Sequence, residues 1–401
     1  MKALFSISAI VVLAILIGCQ KESLPTAAGE PNISVQKPGN RNEVADATLL
    51  RQQVETKSKL IQEKVEEMNR QNPAGSRSNS FAKVTGVIKV PGDYETIQEA
   101  VDAAEDGAII NVTGSFNGNI WVDGKTNLTI NGGDGATVTG QQPYYAPFII
   151  RWAENVTIKG FNLVGVVYVY STQGATIKGN DVSGPNDGIE ILGSSRCTIF
   201  GNTVHDKMPG PIGTGDGIYL DGSSENVIKG NHIFSNDKYG IGVIAGTRNS
   251  LRDNIISNNQ GGVYWVATYQ NSLRDCRTFS NLYRGIWIIE SSENEIKDSE
   301  FLRNQFGIML TGSSDNLIKD VTCNENEMGG IHFYYNCLNN MVANATADNN
   351  RTWEGFYLDY ETANNTIKDS EARGNGTCDV IDYGTDNIFI NNDFGSFNCV
   401  L

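Results

Sequence analysis

The stretch "DGIYLDGSSENVIKGN", residues 216–231, sets two aliphatics, Ile218 and Leu220, on either side of Tyr219. Side chains two apart in a strand share a face, so Ile218 and Leu220 point one way and Tyr219 the other. The Asp-Gly-Ser-Ser that follows is turn chemistry, and a second short apolar run closes on Gly230 and Asn231. The same order returns in "DGIEILGSS" (187–195) and "GIMLTGSSDNLIKD" (307–320).

Working outward, a template of roughly N-x-I-x-x-N followed by G-I-x-L-x-G-S-S repeats along the chain. Its first buried aliphatic is expected at Ile158, Ile177, Ile199, Ile228, Leu251, Leu273, Ile296, Ile318, Val342, Ile367 and Ile390. Most intervals are 22 to 25 residues; the exceptions are 19 at the start and 29 after Ile199, where "KMPGPIGT" is inserted. Eight positions beyond these aliphatics stands a column of asparagines: Asn236, Asn259, Asn281, Asn304, Asn326, Asn350 and Asn375. Identical amides at matched offsets are the side-chain ladder of stacked parallel coils. A unit this short cannot hold a strand and a helix hairpin, so one repeat makes one β-coil, and eleven or more coils are expected.

Composition narrows the function. The chain has 401 residues and a formal charge of -15. It lacks the basic clusters with interleaved aromatics that neutralise phosphates, so nucleic acid is excluded as a partner. Glycine, at 43 residues, exceeds the roughly 7% average and fits a chain of many turns.

The repeats resemble the right-handed parallel β-helix of the pectin-lyase-like superfamily, in the style of NosD-type and carbohydrate-active β-helix proteins, over residues 81–401. The resemblance implies an all-β, single-stranded solenoid. "PGDYETIQEAVDAAEDGAIINV" (91–112) is similar to the amphipathic helix before the first strands of pectin methylesterases, and Ile97, Ala100, Val101 and Ala104 would form its buried face. Such a helix covers the open end of the sheets. Cys323 falls in an aliphatic column and reads as a buried thiol, while Cys378 and Cys399 lie on adjacent terminal coils and could bridge.

Read coil by coil, the outward column is Tyr168, Glu190, Tyr219, Gly242, Tyr264, Trp287, Met309, His332 and Tyr357; two residues on, the same face carries Tyr170, Asp221 and Tyr334 among others. This face is expected to be exposed to solvent. An exposed aromatic strip suits the C–H faces of sugar rings, which makes Tyr168, Tyr219, Tyr264, Trp287, His332, Tyr334 and Tyr357 candidate polysaccharide contacts. Cover by the N-terminal helix or by another subunit is the alternative, with docking of a protein partner by a non-catalytic scaffold as the corresponding function.

Asp187, Glu190, Asp216 and Asp221 gather beside the insertion, with Asp187 and Asp216 in one column of adjacent coils. Such a pair could act as acid and base in a polysaccharide hydrolase, or bind Ca2+ in a lyase with Lys238 as base. It could equally consist of solvated corner residues. The pattern faintly resembles polygalacturonases, but Gly215 stands where their second aspartate would be, and Gly-His-Gly and Arg-Ile-Lys are absent. The three histidines, His205, His232 and His332, form no copper ligand cluster by spacing, and no metal is expected from them.

At the N-terminus, Lys2 and the apolar run Ala9–Ile17 end in "LIGC", which resembles a bacterial lipoprotein signal: residues 1–18 would be removed and Cys19 lipidated. "CQKES" is similar to a surface-export signal, which implies an outer-membrane lipoprotein touching membrane only through its anchor. Residues 19–80 read as a tether with one helix, in which Leu50, Val54, Ile61, Val65 and Met68 recur near helical spacing and Lys57 and Lys64 break the stripe. A helix lying on the main domain and a short coiled-coil stalk are the two readings.

Overall fold

The computed structural model describes residues 41–73, 83–210 and 213–399; the expected signal peptide, Cys19 and the linker before residue 41 lie outside them. Each repeat makes one turn of a parallel solenoid. In the coil around the insertion, Thr198–Phe200 and Thr203–Met208 join a 24-stranded sheet and Ile218–Asp221 joins a 12-stranded one. The expected aliphatic column is in register, with Ile177 paired to Ile199, Ile199 to Ile228, Ile228 to Leu251, and so on to Ile367. It slips at the last coil. Phe389, not Ile390, pairs with Ile367, and Ile390 is exposed, because the terminal coil has no further coil to pack against.

The asparagine column forms as expected. Asn236 Nδ2 donates to Asn259 Oδ1 at 2.8 Å, while the same Oδ1 accepts the Asn236 backbone N–H, and this repeats through Asn350 and Asn375. Two further ladders occupy other corners, one through Asn226, Asn249, Asn271, Asn294, Asn316 and Asn340, the other through Asn180, Asn202, Asn231 and Asn254. Each supplies acceptors for corner N–H groups that the coil buries and no strand pairs. The glycine of "GI-x-L" is needed for space. A Cβ on Gly262 would lie 2.2 Å from the Gly285 carbonyl oxygen and 2.2 Å from Thr278 Cγ2.

The entrance helix, α2 (Ile97–Ala103), is closed by a capping box between Thr96 and Glu99, and Ile97, Ala100, Val101 and Ala104 are buried beneath it as expected. Cys323 is a buried thiol, and Cys378 and Cys399 form a disulfide across the last coils.

The N-terminal helix, α1 (Arg41–Gln71), lies on the solenoid, which settles the choice against a stalk. Asp46 reaches Arg284, and Asn69 accepts from Arg151, so the helix crosses seven strands of the 12-stranded sheet. Its rise between those residues, roughly 35 Å, matches the roughly 30 Å that seven strands span, so it runs along the solenoid axis. Ala47, Leu50, Val54, Ile61, Val65 and Met68 face the sheet. Lys57 is buried with them, three residues after Val54 and four before Ile61, so the residue that interrupts the stripe in sequence occupies it in space.

Candidate functional site

The outward column is aligned as read from sequence: Tyr168, Glu190, Tyr219, Gly242, Tyr264, Trp287, Met309, His332 and Tyr357 are partners on successive strands. Its exposure is not as expected. Tyr168, Tyr219, Tyr264, Trp287, His332, Tyr334 and Tyr357 are all at most 4% exposed. The side chains do point away from the solenoid lumen, but they form a second apolar core, shared with α1 and distinct from the core inside the coils. An open aromatic track is therefore excluded for this arrangement, because the large apolar area of these rings is removed from water by the helix.

Within this second core the rings are individually held. Tyr219 Oη lies 3.2 Å from Ser58 Oγ of α1, Tyr264 donates to Asp216 Oδ2 at 3.3 Å, and Trp287 Nε1 donates to Thr311 at 3.1 Å. The Arg284 guanidinium lies 4.1 Å over the Trp287 ring. His332, Tyr334 and Tyr357 form a separate cluster three strands further, with Trp353 alongside. Burial keeps His332 neutral down to about 4 and lifts the neighbouring Glu354 carboxyl to about 7.

The four carboxylates read from sequence do come together, around a cation that sequence reasoning did not place there. Lys57 Nζ lies 2.5 Å from Asp187 Oδ2 and 2.6 Å from Asp216 Oδ2, and 3.7 Å above the Tyr219 ring. Asp187 and Asp216 are therefore buried ion-pair partners rather than solvated corner residues. Asp187 Oδ1 accepts the backbone N–H groups of Thr214, Gly215 and Asp216, all on the inserted loop's return. Burial opposes its ionisation, but Lys57 and these N–H groups prevail and hold its carboxyl below the usual range. Asp216 goes the other way: burial and the Asp187 charge outweigh Lys57 and the Tyr239 N–H, so its affinity for a proton rises. Burial alone would discharge Lys57, yet the two aspartates more than offset it and its ammonium is stabilised.

Glu190 is fully buried beside this triad with no donor directed at either carboxyl oxygen, and burial followed by the Asp187 charge keeps it protonated well above the ordinary range. Asp221 is only partly buried and accepts from Tyr219 Oη at 3.3 Å. Lys207, on the extended strand of the insertion, donates to the Gly165 and Ser183 carbonyls, and burial lowers its affinity for a proton to about 7. The two aspartate oxygens that share Lys57 have a separation of the order found in retaining glycosidases, about 5 Å. The lysine ammonium fills the space between them, where a reacting sugar carbon or a bound Ca2+ would have to sit.

Beside α1 the face opens into a groove of about 740 Å³. One wall is the helix, with Leu49, Gln53, Thr56 and Leu60; the floor is Tyr239, Tyr264, Arg284 and Trp287. The other wall is a column one residue outside the buried strip: Lys238, Gln260, Tyr283, Gln305 and Met328, each half-buried and each on the next coil. Lys238, the base proposed from sequence, belongs to this wall. At one end the groove reaches Lys57, Thr214 and Asp216. The column was overlooked because its members share neither charge nor hydropathy; only their spacing of 22 or 23 residues marks them.

Residues 152–320 match the family model described as periplasmic copper-binding protein (NosD), and residues 262–394 the one described as right handed beta helix region. No curated protein matches the sequence. Among solved structures, the catalytic domain of an alpha-1,3-glucanase in complex with tetrasaccharides matches at 15% identity over 82% of this chain and 71% of that chain, TM-score 0.54. Dettilon tailspike protein matches at 14% identity over 76% and 68%, TM-score 0.54, and a mutant of the periplasmic alginate epimerase AlgG at 14% over 76% and 83%, TM-score 0.50. At such identities the likeness is one of fold. The copper in the NosD description finds no fitting ligand set here. His205 has both ring nitrogens on Asp181 and Asp206, His232 packs on Phe234, His332 is enclosed, and no cluster of three or more His, Cys, Asp or Glu is placed for a metal among the described residues.

Proposed function

We propose, for a parallel β-helix chain of the pectate-lyase-like superfamily with NosD-type repeats, that it binds a carbohydrate chain in the groove alongside α1. The observation that carries this reading is the column Lys238, Gln260, Tyr283, Gln305 and Met328. It repeats amide, ring and cation at the coil spacing of about 4.8 Å, over a floor that contains tyrosine and tryptophan edges. An extended glycan offers hydroxyls and C–H faces at regular intervals, and half-buried glutamines with a tyrosine between them can engage both. The polysaccharide-acting β-helix proteins among the structural neighbours agree with a carbohydrate partner.

Cleavage is not part of this proposal, because Lys57 neutralises and fills the one carboxylate pair that could perform it. The test is a panel of polysaccharides and oligosaccharides measured by calorimetry against the full chain. Changing Gln260 and Gln305 together to alanine is expected to weaken binding at least about tenfold, the loss of two hydrogen bonds of about 1 kcal/mol each, with an unchanged melting temperature. Unchanged affinity for every glycan that binds would remove the groove from the reading.

The site is further proposed to be held at a bacterial outer membrane by lipid on Cys19, as the "LIGC" sequence implies. Full-length chain expressed in a Gram-negative host is then expected in the membrane fraction, and Cys19→Ala in the soluble fraction. Equal partition of the two would overturn the anchor.

A further inference from the structure

The Lys57 ammonium has the surroundings of a bound ligand rather than of a surface salt bridge. It is buried between two carboxylate oxygens and over the face of an aromatic ring. Those partners are oriented by the solenoid, not by α1. Asp187 is fixed by three backbone N–H groups on its Oδ1, and Asp216 by the Tyr239 N–H on its Oδ1 at 2.8 Å, which leaves both Oδ2 atoms directed at the lysine. Tyr264 Oη and Thr214 Oγ1 also reach Asp216 Oδ2, each at 3.3 Å. Behind the pair lies Glu190, wholly buried with no donor aimed at its oxygens. A second separation makes the helix removable in principle: its buried residues contact only the outer core, and the core inside the coils contains none of them.

We propose that Asp187, Asp216 and the Tyr219 ring form a subsite for the ammonium group of an amino-sugar chain, and that α1 keeps the subsite shut by placing its own lysine there. The inference rests on the reading of the adjoining groove as a glycan site, since that groove ends at Lys57 and Asp216. The donor set favours an organic ammonium over a divalent metal. A ring face attracts a weakly hydrated cation, whereas Ca2+ requires six to eight oxygens, more than this corner supplies. A glycan lying along the groove would bring a glucosamine ammonium to the position of Lys57 Nζ only after the helix yields at that point, so ligand and helix compete for one place.

The experiment uses full-length Lys57→Ala, which vacates the ammonium position and leaves its partners. Binding of a glucosamine oligomer is measured against the same oligomer N-acetylated, and against CaCl2 alone. The variant is expected to bind the glucosamine oligomer at least about tenfold more tightly than the parent chain, with no gain for the acetylated oligomer, as a desolvated ion pair and ring contact become available to the ligand. Equal gain for both oligomers, no gain, or a Ca2+-induced rise in melting temperature equal to that with glucosamine would overturn the proposal. Should the variant not fold, hydrogen exchange on the parent chain decides: the glucosamine oligomer is expected to speed exchange across residues 47–68, and unaltered exchange overturns the competition. Neutral glycans that still bind while these gains are missing would sink the ammonium subsite alone, whereas loss of all glycan binding would sink the groove reading beneath it.

Discussion

Lys57→Met is expected to loosen the attachment of α1 by about 3–5 kcal/mol, the usual result of removing one member of a buried ion pair and stranding the others. Methionine keeps most of the volume, so packing against Val54 and Ile61 is retained and the charge is what changes. The loss should appear as early exchange and early proteolysis of α1, ahead of melting of the coils, because the inner core is separate. Its pH dependence follows from the individual groups. Lys57 binds its proton more tightly when folded, so its contribution is complete below its ordinary value of 10.5 and is lost as pH rises beyond it. Asp187 is held below its ordinary 3.8, so its contribution is present above that value and fades as pH falls through the lower folded one. Glu190 and Asp216 act oppositely, retaining protons that the unfolded chain releases, and so cost stability as pH rises past their ordinary values. The difference between parent and variant should thus be widest between about pH 4 and pH 10 and shrink outside it. Equal protease sensitivity of α1 in the two proteins at pH 7 would show that the triad does not hold the helix.

Gly262→Ala is expected to destabilise the solenoid by about 3 kcal/mol or more, at the upper end for overpacking, because the obstacle is the backbone of the next coil. A methyl group there meets the Gly285 carbonyl oxygen and Thr278 Cγ2 at 2.2 Å each, and neither can rotate away. The same holds along the column, where a Cβ on Gly285 would lie 2.6 Å from the Gly307 oxygen and one on Gly307 2.7 Å from the Gly330 oxygen. Chemical denaturation of the variant provides the measurement, and a midpoint within error of the parent's would mean that the coils separate locally at little cost.

These two sites differ in how far the chain announces them. The glycine column is legible because a steric rule acts once per coil and leaves a repeat, as do the asparagine ladders and the aliphatics that fill the lumen. Ile390 is the exception. With no coil beyond it, nothing enforced the period, and Phe389 took the inner position. The carboxylates Asp187 and Asp216 were also legible, since column and spacing place them side by side. Their neutralising partner was not, because Lys57 lies 130 residues before Asp187 in a segment outside the repeat. Its place between Val54 and Ile61, on the helix's apolar stripe, was the only local sign that this lysine is buried.

The residues by themselves determined the solenoid, its coil register and which side chains point out of the lumen, since each of these follows from a period of two within strands and about 23 between coils. What lies against the outward side chains was decided only in three dimensions. Strand alternation states a direction, not an environment, and the ring column from Tyr168 to Trp287 reads the same whether water or a helix faces it. The helix came from outside the repeat, carrying an apolar stripe with one ammonium at the height of two aspartates, and turned an expected open track into a second core with a groove at its edge.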